Sequence, residues 1–160
     1  MANHGYMTIQ GKIQGSISAG CSSEESIGKK CQMGHRDEIM VLSFAHHMSN
    51  VGNIRHATHR PVVIVKNFDK SSPLLAQALA NREPVDCIID FYRTSSNGLQ
   101  EKFYTVEIKD GLICDLMLDI PHSILQSGAE AQEHMSIRYS EIIWTHHLAR
   151  TRGSAFWSGE

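Results

Sequence analysis

Long hydrophobic runs are missing from this sequence. Its apolar stretches are short strand-like segments such as Val62 to Val65, far too short to span a bilayer, so membrane insertion is not expected. Charge of one sign is also missing: 15 basic residues stand against 17 acidic ones, a formal charge of -2 with a pI near 6.5. That balance gives no global pull toward nucleic acid or an anionic membrane. The opening Met-Ala-Asn-His-Gly-Tyr lacks a basic segment followed by an apolar one, so a Sec-type signal peptide is not expected and the chain is read as made and folded in the cytoplasm. The four cysteines, Cys21, Cys31, Cys87 and Cys114, never pair as C-x-x-C, which argues against a zinc knuckle or a thioredoxin-like site. Cys87 and Cys114 fall in apolar strand patterns and read as small core residues. Cys21 and Cys31 fall in a polar loop, where a disulfide is the weaker reading for a chain made in the cytoplasm.

What is present is ordinary globular material. Apolar residues make up 41% and charged residues 20% of 160 residues, enough to fill one core without covalent staples. Neither an internal repeat nor a linker interrupts the chain, so residues 1–160 are expected to form a single domain.

Alternation dominates the pattern. Tyr6 to Gln10 places Met7 and Ile9 on one face. Glu38 to His46 is a second strand; Leu42 and Phe44 are expected toward the core, and Val41, Ser43 and Ala45 on the other face. Pro61 to Phe68 is a β-branched third strand. Val85, Cys87, Ile89 and Phe91 share a face of the next. Asn97-Gly98 and Asp110-Gly111 read as tight turns, giving a three-stranded meander whose last strand shows Leu112, Cys114, Leu116, Leu118 and Ile120 on one face. Met135, Ile137 and Tyr139 open the last strand. The apolar phase then shifts to Ile142, Trp144 and Leu148, which calls for a bulge near Ser140 and Glu141. Gly11 to His35, Met48 to Arg60 and Pro121 to Gln132 read as loops, and Arg150 to Glu160 as a polar tail.

One helix is expected. Ser72 can cap it, Pro73 suits its first position, and Leu74, Leu75, Ala78 and Leu79 form its apolar stripe before Pro84 ends it. About seven strands and one short helix predict a mainly β fold: two packed β-sheets forming a sandwich or flattened barrel. Several strands are apolar on both faces, notably Ile39 to Phe44, Val62 to Val65, and Ile113 with Met117. One core covers only one face, so the other calls for a neighbouring subunit.

Catalytic motifs are not found. Gly28-Lys29-Lys30 has neither the spacing nor the hydroxyl of a P-loop, and G-x-S-x-G is absent. His46-His47 and His146-His147 are adjacent on strands and point to opposite faces, which makes each a poor chelate. His56 and His59 sit in a loop that could bring both to one ion, but no acidic partner or H-E-x-x-H supports this; surface histidines are the simpler reading. Asp86 with Asp90, and Asp115 with Asp119, read as solvated strand faces; Tyr92 and Arg93 beside them suit a subunit contact. No catalytic residue, cofactor or metal ligand set is assigned, and the chain is not expected to be an enzyme.

The motifs, taken in order, resemble the haemolysin co-regulated protein (Hcp) family, the tube component of bacterial type VI secretion systems. The similarity is carried by Met1-Ala2-Asn3 with Tyr6 and Ile9, by Glu38-Ile39 with Val41 to Phe44, and most of all by Asp69-Lys70-Ser71-Ser72-Pro73-Leu74 leading into the helix. Phe91 to Thr94, Phe103 to Thr105, Ile120 to Ser123 and Ile143 to His146 continue it. The resemblance implies hexameric rings that stack into a tube inside a contractile sheath, on a baseplate and spike. The tube carries effector cargo in its lumen and is fired out without a Sec signal. It implies a lumen-facing role for Ser43 and Ala45. It also implies that the Met48 to Arg60 loop, with Arg55, His56, His59 and Arg60, reaches the next ring; Glu24, Glu25, Asp37 and Glu38 are candidate acceptors. The alternatives are a stand-alone secreted effector and a monomeric ligand-binding β module.

Overall fold

The computed structural model describes residues 4–30, 33–52 and 55–157. Its strands are β1 (His4–Gly11), β2 (Gly15–Ser16), β3 (Ile39–Ala45), β4 (Met48–Ser49), β5 (Thr58–His59), β6 (Val62–Asn67), β7 (Val85–Thr94), β8 (Gln100–Asp119), β9 (Gln132–Arg138), β10 (Glu141–His146) and β11 (Thr151–Phe156). Two short helices accompany them, α1 (Glu24–Ile27) and α2 (Ser72–Ala80). Strands β8, β7, β1, β3, β6 and β9 pair in sequence, and β9 returns to β8, closing a flattened barrel; β10 and β11 extend it from the other half of β8. The mainly β sandwich-barrel expected from the alternation is therefore the fold, with α1 added to the single expected helix.

The core follows the period-2 pattern. Met7 and Ile9 of β1, Val85, Cys87 and Ile89 of β7, and Val106 and Ile108 of β8 are buried, as are Met135 and Ile137 of β9. Leu75 and Ala78 of α2 join them, with Leu74 and Leu79 packed alongside.

β8 departs from expectation. Asp110-Gly111 is not a hairpin turn, because β8 runs through it for 20 residues. Asp110 takes a left-handed φ of 48°, which inserts an extra residue against β7: Val85 pairs with Gly111 but Cys87 with Ile108. The Asp110 N–H donates to Asp86 Oδ1 at 2.9 Å, and Ser140 Oγ donates to the Asp110 carbonyl at 3.0 Å. A side chain at Gly111 would meet the Arg138 carbonyl at 3.0 Å, so only glycine lets β9 come this close. This insertion moves the inward phase from Val106 and Ile108 to Gly111 and Ile113 and leaves Cys114 exposed, correcting the core reading of Cys114. A second irregularity between Ile113 and Asp115 shifts the phase again, so that Leu116 packs against the core. The shift expected at Ser140 and Glu141 appears as a full break between β9 and β10, directly opposite the Asp110 bend.

Three further expectations are corrected. Val41 and Ser43 flank a bulge, so Val41 is buried and Leu42 is 44% exposed, while Phe44 still packs against the core. The Gly11 to His35 stretch is not loop alone: its described residues include β2 and α1, Ile17 and Cys21 are buried, and Ile17 N–H bonds back to the Ile9 carbonyl. The Arg150 to Glu160 tail contains β11, whose pairing with β10 rests on backbone hydrogen bonds rather than apolar content. Cys31 lies outside the described residues, and so does its pairing with Cys21.

Under α2 sits a buried ionic cluster that alternation does not reveal. Lys66 and Glu133 are register partners on β6 and β9, both fully buried, and Lys66 Nζ contacts Glu133 Oε1. Lys66 also lies 3.1 Å from Asp69 Oδ1 and donates to the Asn67 carbonyl at 3.0 Å and to Ser72 Oγ at 3.3 Å. Asp69 accepts the Ser71 N–H at 2.8 Å, and Ser72 Oγ accepts the Asp69 N–H at 3.0 Å. Ser72 is thus not the cap: Ser71 occupies that position without a side-chain cap bond, and Ser72 orders the turn that feeds the helix.

Two predictions follow from this packing. Lys66→Met strands two buried carboxylates and should lower stability by about 3–5 kcal/mol, whereas Lys66→Met with Glu133→Leu should recover most of the loss. Urea unfolding of both variants checks this. Leu42→Asp should remain soluble and folded by circular dichroism, whereas Val41→Asp should not, since several kcal/mol is comparable to a total stability of about 5–15 kcal/mol.

Candidate functional site

The strand registers define two unlike outer faces. In the sheet of β3, β6, β9 and the second half of β8, Ser43 opposes Val65, Val65 opposes His134, and His134 opposes Met117. The next row runs Ala45, Val63, Ser136, Asp115. Directly opposed residues share a face. Ser43 and Ala45 therefore sit on a surface of mostly small or apolar residues, with Val63 38% and Met117 51% exposed. In the other sheet Thr8 opposes Ile88 and Ile88 opposes Glu107; beside them lie Asp86, Lys109, Gln10 and Lys12, a charged surface. Asp86 is exposed as expected. Asp90 is not a solvated residue: it is nearly buried, accepts the Thr105 hydroxyl at 2.7 Å and lies 3.5 Å from Lys102 Nζ.

An aromatic shelf lies where β1 meets β7. His35 stacks on Tyr6 with centroids 3.7 Å apart, and Tyr92 meets both rings edge-on. His35 Nδ1 is 2.8 Å from Glu38 Oε2. A cleft of about 540 Å³ opens beside these rings, lined also by His4, Met40 and Gln100. Burial, then the Glu38 charge, raises the titration of the Tyr6 phenol, and the same order holds for Tyr92. Arg93 is engaged within the chain, 3.0 Å from Glu101 and over the Phe103 ring.

The Met48 to Arg60 segment is organised at its base. β4 and β5 pair Met48 with His59 and Ser49 with Thr58. Arg55, His56 and Arg60 are exposed. His59 is not grouped with them. It turns inward, its Nδ1 2.7 Å from the Tyr139 hydroxyl, and stacks on Trp157 with centroids 5.7 Å apart. His46, from the end of β3, meets the same hydroxyl through Nε2 at 2.9 Å and lies beside Trp144. Arg138 sits over the Trp157 ring. Burial raises the Tyr139 phenol to about 12. Burial, then His59 and His47, lowers the His46 imidazole below its ordinary value. The loop chelate of His56 with His59 is thus not assembled, and among the described residues no three His, Cys, Asp or Glu side chains come together as a metal site.

The buried thiols are far from reactive. Cys87 is raised by burial, and Cys21 is raised to about 11 by burial and by Asp69. Sequence reasoning missed the Tyr139 cluster and the Lys66 cluster. The available signals were the aromatic placed at the phase break and the Asp69 to Pro73 motif leading into α2.

The comparisons with known proteins agree with this architecture. The family model described as "Type VI secretion system effector, Hcp" matches residues 6–146. The "Major exported protein" of Pseudomonas aeruginosa is 38% identical, with 98% of this chain and 96% of that protein aligned. The "Uncharacterized protein YhhZ" of Escherichia coli is 34% identical over 96% of this chain, which spans only 38% of that longer relative. Among solved structures, the secreted protein Hcp3 from Pseudomonas aeruginosa superposes with a TM-score of 0.87 at 38% identity, covering 99% of this chain and 100% of that one. A second, "Crystal structure of Hcp protein", superposes with a TM-score of 0.93 at 30% identity, again covering 99% and 100%. With the match spanning the barrel from β1 to the end of β10, this chain belongs to the Hcp family of type VI secretion systems.

Proposed function

We propose that this chain is a structural, non-enzymatic subunit of the type VI inner tube, assembling as hexameric rings that stack, carry effectors in the lumen and are expelled. The observation that carries the reading is the outer face of β3, β6, β9 and β8. Val63 and Met117 are exposed there beside Ser43 and Ala45, and none of the described elements covers them. An apolar face of this kind on a folded chain marks a contact surface or a channel wall. In a ring of identical subunits it meets either a neighbour or the central hole.

Ser43 and Ala45 are assigned to the lumen in this reading, because small residues at exposed strand positions leave room for cargo. Arg55, His56 and Arg60 are assigned to ring stacking, because they are exposed cations and imidazoles beyond the β4–β5 base. His59 anchors that base instead of contacting the next ring. Sheath, baseplate, spike and effector cargo are the partners this role requires. Release through the type VI apparatus is the route, in keeping with the name of the exported Pseudomonas aeruginosa relative.

Native mass spectrometry at micromolar protein is expected to give a closed hexamer; monomer alone would overturn the reading and favour a monomeric binding module. Arg55→Glu with Arg60→Glu should leave the ring intact and abolish tubes and secretion. Each exposed ion pair contributes only about 0–1 kcal/mol, but the ring repeats it around its axis. Electron microscopy of tubes and a release assay check this: normal tubes with normal release would remove the loop from stacking, and a lost hexamer would place it at the contact within one ring.

A further inference from the structure

His46 and His59 reach one phenol from two different elements. His46 follows β3, part of the barrel; His59 belongs to the small β4–β5 sheet, which pairs with no barrel strand. Tyr139 stands between them at the break separating β9 from β10, buried in the core. Trp157, beyond β11, packs edge-on against Tyr139 at 4.9 Å and under His59, and its N–H donates to the Ser140 carbonyl at 2.9 Å. Side chains of the hairpin and of the residue after β11 therefore meet the barrel together at this cluster.

We propose that His46, Tyr139 and His59 form an acid-opened latch that holds the β4–β5 hairpin and the Trp157 ring against the barrel. Proton counting supplies the reason. A phenol has one hydrogen to donate and lone pairs to accept with. With both imidazoles neutral, the hydroxyl donates to one ring nitrogen and accepts the N–H of the other, so all three groups are satisfied. Adding a proton to the accepting ring makes both rings donors at that contact, and the buried hydroxyl loses its acceptor. A second proton places two imidazolium ions on one oxygen.

Both imidazoles are half-buried, and the protein groups around them offer such charge no counter-ion among the described residues. His47 lies next to His46, Arg138 lies over Trp157, and the remaining neighbours, Trp144 and Tyr139, carry no negative charge. Among the described residues neither imidazole has a carboxylate partner; the histidine that has one is His35, with Glu38. The His46 imidazole is lowered in the closed form, so the closed form binds fewer protons than the open one. Closure is complete above the ordinary histidine value near 6.5 and is lost as the pH falls through the lowered value of His46.

The latch lies within one chain, so its test does not require rings or tubes to form. Only its consequence, acid release of the segment bearing Arg55, His56 and Arg60, rests on the stacking role. Hydrogen exchange of the full chain should be measured at about pH 7.5 and about pH 5, corrected for intrinsic rates, at a concentration giving one oligomeric species throughout. Peptides covering residues 46–52 and 55–61 should lose protection by about tenfold at the lower pH, with residues 85–92 unchanged. Emission of Trp144 and Trp157, the chain's two tryptophans, should change over the same interval. Tyr139→Phe, which keeps the buried ring, should leave the hairpin unprotected already at the higher pH. His46→Gln with His59→Gln should abolish the pH dependence. Equal protection of the wild type at both pH values, or a transition that survives in the double variant, would overturn the latch.

Discussion

Asp110 and Gly111 carry β8 through the point where the two sheets part, and most of the remaining architecture hangs on that passage. The first half of β8 is held between β7 and β10, the second half by β9. One strand thus belongs to both sheets, and the barrel closes because its backbone never leaves the hydrogen-bonded ladder. The bend is fixed from three directions. Asp86 takes the Asp110 N–H, Ser140 takes the Asp110 carbonyl, and the missing side chain at Gly111 admits the Arg138 carbonyl. Because β9 and β10 follow the same line, they must bend at the same place, and their break at Tyr139 and Ser140 is the other half of one kink.

That kink also creates the histidine cluster. Tyr139 continues the inward alternation of Met135 and Ile137 and, standing at the break, presents its hydroxyl to side chains from outside the barrel. The break also brings the backbone of Ser140 to Trp157. A fold-level constraint therefore supplies a polar site at which the β4–β5 hairpin and the Trp157 ring meet the barrel. At the opposite corner the Lys66 cluster does the equivalent work for α2, fixing the turn before the helix through charge rather than through a side-chain cap.

The two sheet faces left over explain why membership of the Hcp family and an assembly role fit together. A single chain buries the inner faces of both sheets and still exposes Val63, Ile88 and Met117. The charged face around Asp86, Glu107 and Lys109 and the small-residue face around Ser43 and Ala45 are unlike enough to serve different neighbours. A ring of copies joined head to tail uses such unlike surfaces.

Alternation with period two is a local property of the chain, so the class of fold, the positions of most strands and the inward residues Met7, Ile9, Cys87, Ile89, Val106 and Ile108 were legible in the residues alone. The apolar stripe and proline of α2 are local too, and the motifs carried the family resemblance. The remaining features depend on which strands come to lie side by side. Leu42 was read inward and lies outward because a single bulged residue reverses every later position in a strand, and bulges are set by the partner strand. Asp110-Gly111 had the chemistry of a tight turn, but whether such a pair turns the chain or bends a continuing strand depends on β7 and β9 lying alongside it. Cys114 followed the same error in phase. Lys66 and Glu133, His46 and Tyr139, and His59 and Tyr139 stand 67, 93 and 80 residues apart in sequence. Polar contacts at such separation leave no periodic trace; they exist only once the barrel has closed and brought the strand ends together.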